Sequence, residues 1–184
     1  ASSIRTFIEK VGVSKAYSVV DYGLLESCVR DDLNASAPRA MAVLDPLKVI
    51  IDNYPEGQTE EVEVDIHPER PELGKAKITF GKEIYVEKSD FMIEPVKKYF
   101  RLFPGNEVRF RGAYFLTCTS YDLDENGEVT AIHCTYDPAS KGGNSPDGRK
   151  VKGTIHWAGP NAFKAEVRLY DRLFTVEDPA SVSD

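Results

Sequence analysis

Residues 107 to 115 read EVRFRGAYF, which sets Arg109 and Arg111 two apart with Val108 and Phe110 beside them. Side chains alternate across a strand, so the two arginines share one face and the two apolar residues share the other. A guanidinium is a planar fork of five donors that fits a phosphate, a carboxylate or the edge of a base. The apolar pair can turn to a core, leaving two such forks side by side on the opposite surface. Either reading fits this spacing: a solvated strand face with carboxylate partners from the same chain, or an anion-binding face for RNA. Arg101, Tyr99, Phe100, Phe103 and Tyr114 lie close by in sequence and could add donors and stacking surfaces to the second.

The formal charge of −7 argues at first against a nucleic-acid partner. Its distribution argues the other way. The stretch 97–111 carries Lys97, Lys98, Arg101, Arg109 and Arg111 against Glu107 alone. The stretch 141–152 carries Lys141, Arg149, Lys150 and Lys152 against Asp147. Acidic residues gather in EGQTEEVEVD (56–65) and YDLDENGE (121–128) instead. Clustered cations matter more than the whole-chain sum when the partner is a polyanion.

Other chemistries find no support. His67, His133 and His156 stand apart without metal-ligand spacing, so no metal site is expected. GGNSPDGRK lacks the G-x-x-x-x-G-K-[ST] spacing of a phosphate loop, and no G-x-S-x-G elbow occurs. No catalytic residue and no bound cofactor are expected. No apolar run is long enough to span a membrane, and the N-terminus ASSIRTFIEK does not read as a signal peptide. Cys28, Cys118 and Cys134 form an odd set without C-x-x-C spacing, which suits reduced thiols in a cytoplasmic protein.

These groups need a scaffold. Apolar spacing predicts a helix over SSIRTFIEKVG, stopped by Gly12, and a second helix opening on Ser18-x-x-Asp21 and ending near Asn34. A short helical turn is expected between Pro38 and Pro46. From Leu47 short β-branched and aromatic runs succeed one another: LKVIIDNY, EEVEVDI, KAKITF, EIYVEK, NEVRFRGAYFLTCTSY, EVTAIHCTYD, KVKGTIHW and KAEVRLYDRLF. Asn126-Gly127 marks a hairpin, and SDFMIEPVKKYFRLFPG (89–105) reads as a helical excursion. The fold class is mainly β with an N-terminal helical subdomain, residues 1–44 helical and residues 45–184 a barrel region.

LESCVRDDLNASAPRAMAVLDPLKV (25–49), HPERPELGKAKITF, IYVEKSDF and CTYD…DGRKVKGTIHW…AEVRLYDRLF closely resemble the C-terminal half of the glutaminyl-tRNA synthetases, a class I family. The resemblance runs in order along essentially the whole chain. It implies a helical piece followed by two antiparallel anticodon-binding β-barrels of a kind also seen in ribosomal proteins, the second one incomplete. The HIGH-type and KMSKS-type motifs of the family are missing, so the resemblance implies a fragment truncated at both ends and inactive alone. ATP and magnesium would serve only the parent enzyme, a ligase joining glutamine to its tRNA.

Carried over by motif, the family's anticodon readers fall on Asn34 and Arg39 in DLNASAPRAM, Arg101 in FRLFPG, and Arg109 with Arg111 in EVRFR. Lys15, in the SKAYSVVD segment that matches a tRNA-body contact, and Lys98, Arg149 and Lys150 are further RNA-contact candidates. The implied partner is glutamine-accepting tRNA, with no DNA and no membrane, and the parent enzyme is expected to be a monomer. Two alternatives remain at this point: a eukaryotic-type glutamyl-tRNA synthetase barrel region, and a ribosomal-type RNA-binding barrel.

Overall fold

In the computed structural model, which describes residues 1–16, 18–176 and 178, the chain divides into two units. The first holds Ala1–Pro38 with the chain from Glu166, and the second holds Arg39–Ala165. In the first, α1 (Ser2–Val11) packs on α2 (Tyr22–Ser36), and Ser2 Oγ donates to Asp32 at 2.6 Å. Gly12 ends α1 at φ 73° as expected. Asp21 rather than Ser18 caps α2, accepting from the Gly23 amide at 2.8 Å, so this helix starts three residues later than its sequence pattern suggested.

The second unit is built on β1 (Pro46–Ile51), β2 (Thr59–Asp65), β3 (Lys75–Gly81), β4 (Glu83–Glu87), β5 (Glu107–Phe110), β6 (Phe115–Leu123), β7 (Val129–Asp137) and β8 (Thr154–Ile155). Six of them make one sheet in the order β4-β1-β7-β6-β5-β8, with β1–β7 and β5–β8 parallel and the other pairs antiparallel. The chain leaving β8 then returns to β4, where the amides and carbonyls of Tyr85 and Ala158 exchange hydrogen bonds of 2.9 and 2.8 Å. The sheet is thereby nearly closed into a barrel, and a separate ribbon of β2 and β3 lies beside it.

Alternation explains the barrel's filling. β1 turns Leu47, Val49 and Ile51 inward, β4 turns Ile84 and Val86, and β5 turns Val108 and Phe110, all buried. Phe80 meets the fully buried Trp157 edge to face at 5.4 Å, and the indole N–H donates to the Arg111 carbonyl at 3.0 Å. The three cysteines are free thiols, all buried; Cys118 and Cys134 face each other across β6 and β7.

Several expected elements differ. Residues 89–105 form no helix: a single 3-10 turn over Lys88–Asp90 is followed by irregular chain. Pro95 disfavours helical geometry at Glu94, and Lys98 stands at φ 69°, outside any right-handed helix. Nor does a helical turn follow Pro38, because long-range partners take the amides: Arg39 donates to the Ile66 carbonyl, and Leu44 and Asp45 to the Glu87 carboxylate. KVKGTIHW contributes only the two residues of β8. KAEVRLYDRLF forms no strand; Leu169 and Tyr170 are exposed, and no pairing partner for it exists among the described residues. The hairpin at Asn126-Gly127 does form, its turn held by Asp124 Oδ1 accepting from the amides of Asn126 and Glu128.

These contacts can be tested in two places. A Cβ built on Gly159 would lie 2.0 Å from the Thr79 carbonyl oxygen, where the chain leaving β8 crosses β3. Gly159→Ala should therefore destabilise the barrel by about 1–3 kcal/mol in thermal or urea unfolding. His133 bridges Asp52 (2.9 Å) and Asp122 (3.1 Å), and those hydrogen bonds, Asp52's first, raise its pKa above the ordinary 6.5. The stabilisation is fully present below about pH 6.5 and is lost as pH rises through the higher folded value. The melting-temperature gap between the parent and His133→Gln should thus be widest near pH ~5.5 and narrow towards pH ~8.5.

Candidate nucleic-acid interface

The cations of the barrel unit differ in how they are matched, Arg101, Lys141 and Arg149 each having a carboxylate partner. Lys48, Arg70, Lys75, Lys77, Lys82 and Lys88 each pair with a carboxylate. Among the described residues, Lys97, Lys98, Arg109, Arg111, Lys150 and Lys152 find no carboxylate partner. These six come from the two basic stretches of the sequence; Lys164, outside them, has no ion pair among the described residues either. Backbone pairing lays the chain that directly follows the second stretch beside the first, since the Arg109 amide donates to the Gly153 carbonyl at 2.9 Å and the Arg111 amide to that of Ile155 at 3.0 Å. An acidic protein with many carboxylates to spare leaves these charges unmatched on β5 and its neighbours.

Arg109 projects outward because Val108 and Phe110 project inward. Its guanidinium carbon lies 5.3 Å from the centroid of the Phe115 ring, and its buried Nε has no hydrogen-bond partner. Gly143, at φ 81°, packs against the aliphatic part of the side chain: a Cβ there would sit 3.1 Å from Arg109 Cδ. Arg109 is thus held by packing, with its donors unspent. Arg149 is the reverse. It lies over the same ring at 5.1 Å, yet its Nε and Nη2 grip both Glu107 oxygens at 2.9 Å. Nη2 also donates to Asp137 at 2.5 Å, and Nη1 to Asp147 and Ser145 at 2.7 Å each. All five donors are engaged, and these bonds, Glu107's first, raise its pKa further. Asp147 is held down to about 2, first by the Ser145 hydroxyl and then by Arg149.

Arg101 stands between these extremes. Its Nη1 donates to Asp90 Oδ1, while its carbonyl accepts from Asn106 Nδ2 at 2.7 Å. Phe100 beside it is half exposed, with Lys152 Nζ 5.2 Å from its ring centroid. Arg111 lines a cleft of about 580 Å³ between the β2–β3 ribbon and the 141–142 loop, facing Glu61, Glu63, Asp65, Lys75 and Lys141. The loop is tied down by Glu60, whose carboxylate accepts from Lys141 at 2.5 Å, Tyr114 at 2.8 Å and Tyr54 at 3.1 Å. Burial first, then the Glu60 hydrogen bond, pushes the Tyr54 hydroxyl up to about 12.

A family model for the anticodon-binding domain of class I (E and Q) tRNA synthetases matches residues 37–137, more than half of the chain. The chain belongs to that family. A second model with the same description matches residues 154–184. Curated relatives are named glutamine–tRNA ligase: one from Bradyrhizobium diazoefficiens is 58% identical over 179 residues, covering 97% of this chain and 32% of that protein. One from Clostridium perfringens is 56% identical, covering 93% of this chain and 31% of its own length. One from Aliivibrio salmonicida is 52% identical over the whole chain and 34% of its own length. The chain therefore spans about a third of the relatives it matches.

Within this anticodon-binding domain the match from 37 to 137 takes in Arg39, Lys98, Arg101, Arg109 and Arg111. Arg149 and Lys150 fall between the two matched stretches. Arg39 is exposed, its backbone anchored to Ile66 at 2.8 Å. Asn34, near the end of α2, and Lys15 belong to the helical unit, and both are exposed. Asp90, Phe115 and Gly143 act on the candidate arginines and had no signature of their own in the sequence. Among the described residues no three His, Cys, Asp or Glu side chains converge to hold a metal ion, and no helix is long and apolar enough to cross a membrane.

The two neighbouring cations of the 149–150 stretch should separate cleanly. Arg149→Ala strands Glu107, Asp137 and Asp147 together and should lower the melting temperature. Lys150→Ala, which breaks no ion pair among the described residues, should leave it unchanged by differential scanning calorimetry.

Proposed function

We propose that this chain reads the anticodon of a glutamine-accepting tRNA for an enzyme that joins glutamine to that tRNA. The observation that carries the reading is the unneutralised set on and around β5, above all Arg109 and Arg111. Anticodon bases are single-stranded, so they can be splayed out, stacked on ring or guanidinium planes and read at their edges. Forks with unspent donors suit base edges, and point-charge lysines suit phosphates. In this reading Asn34, Arg39, Arg101, Arg109 and Arg111 face bases, while Lys15, Lys98 and Lys150 face the backbone. Arg149, with every donor spent, serves the fold instead. The family and the names of the relatives support glutamine as the amino acid, and the three free thiols fit a cytoplasmic setting. The ligation step, its ATP and magnesium, and action as a monomer are assigned to the parent enzyme, whose catalytic motifs lie outside this sequence.

The test is binding of glutamine-type and glutamate-type anticodon stem-loops at two salt concentrations. The chain should prefer the glutamine loop. Arg101→Ala or Arg109→Ala should cost about 1–3 kcal/mol and weaken that preference, the expected loss for one base-edge contact. Lys150→Ala should weaken both loops alike and reduce the salt slope by about 1. Preference for the glutamate loop would assign the chain to a glutamyl-tRNA synthetase. Equal binding of both loops that resists anticodon substitution would overturn anticodon reading.

A further inference from the structure

Asp90 is a carboxylate buried to 1% exposure in the neck of the 88–106 loop. One oxygen, Oδ1, accepts from Arg101 Nη1; the other, Oδ2, is buried with no partner among the described residues. Leaving a carboxylate oxygen unsatisfied away from water is costly, and a neutral side chain would avoid that cost. The neck already closes without it: the Leu102 amide donates to the Asp90 carbonyl at 2.9 Å, and the Met92 amide to that of Leu102 at 3.1 Å. What the carboxylate adds is a hold on one guanidinium. Arg101 keeps about half of its side chain exposed, and four of its five donors make no bond among the described residues.

We propose that Asp90 is a positioning residue: it fixes the direction in which Arg101 presents its free donors to an unstacked base. The proposal rests on the anticodon reading above. A long arginine loses side-chain entropy when it is ordered on binding, and a tether in the free protein removes part of that loss beforehand. Asp90 also cancels the charge of Arg101, so this arginine contributes direction more than attraction for phosphate. The backbone around it is equally set: Asn106 fixes its carbonyl, and the Tyr99 hydroxyl donates to the Ser89 carbonyl at 3.2 Å. Burial first, and the Asp90 charge second, push the Tyr99 hydroxyl up to about 12, as expected beside a buried anion.

The experiment is a double-mutant cycle on the 184-residue chain: parent, Asp90→Asn, Arg101→Ala and the double variant, each titrated with the two stem-loops. Circular dichroism checks that each variant is folded. Asp90→Asn should lose about tenfold in discrimination between the loops while its salt dependence rises, because the charge of Arg101 is no longer cancelled; in the Arg101→Ala background it should lose no further discrimination. Discrimination retained in Asp90→Asn, or lost equally in both backgrounds, overturns the proposal and leaves the anticodon reading intact. Discrimination retained in Arg101→Ala overturns Arg101 as a reader and Asp90's role with it. Should Asp90→Asn fail to fold, side-chain 15N relaxation on the unsubstituted protein decides. An ordered Arg101 guanidinium in the free chain upholds positioning, and a freely rotating one overturns it.

Discussion

Strand β5 is bonded along both edges, to β6 on one side and to β8 on the other, and that double pairing sets the rest of the surface. A strand with two partners cannot slip by one residue without turning its apolar side chains out and its charges in. Here the slip would expose Val108 and Phe110 and bury Glu107 and Arg109 in the barrel. The outward arginines are therefore a consequence of barrel closure. Their position is as rigid as the core that holds β5, including Trp157, whose indole bonds the Arg111 carbonyl.

Given that rigidity, the chain distributes its charges unevenly. On the β2–β3 ribbon Lys75 and Lys77 reach diagonally to Glu63 and Glu61, and on the β1–β4 edge Lys48 meets Glu83. Such exposed pairs add little stability. They do leave those lysines matched by carboxylates. The 97–111 and 149–152 stretches receive no such matching, among the described residues, at Lys97, Lys98, Arg109, Arg111, Lys150 and Lys152, so the net charge of −7 conceals a local positive field.

Periodicity and charge carried the legible part of this protein. Alternation in EVRFR placed Arg109 outside and Val108 inside, and Asn126-Gly127 placed a hairpin, because both signals are local. The illegible part depends on partners distant in sequence. Whether Arg109 was a solvated, ion-paired residue or an open one could not be told from spacing. Glu107 stands two residues before it on β5, but Arg149 takes both of its oxygens from 42 positions away. The amides after Pro38 were likewise captured by Ile66 and Glu87, which no local pattern announces. KAEVRLYDRLF shows the same limit from the other side: a strand pattern becomes a strand only where a second strand lies beside it.

Arg149, Arg101 and Arg109 spend their donors in descending order. Arg149 gives every donor to carboxylates and to Ser145, and so fixes the 137–149 loop against β5. Arg101 gives one, to Asp90. Arg109 gives none and is steadied by Phe115 and Gly143, a ring and a backbone that accept no hydrogen bond from it. Each donor spent within the chain is one that a ligand would have to displace, whereas immobility gained by packing lowers the entropy lost on binding without that displacement. Arg109 is steadied in this way without spending a donor. Composition does not distinguish it from Arg149, and only the three-dimensional arrangement of its neighbours does.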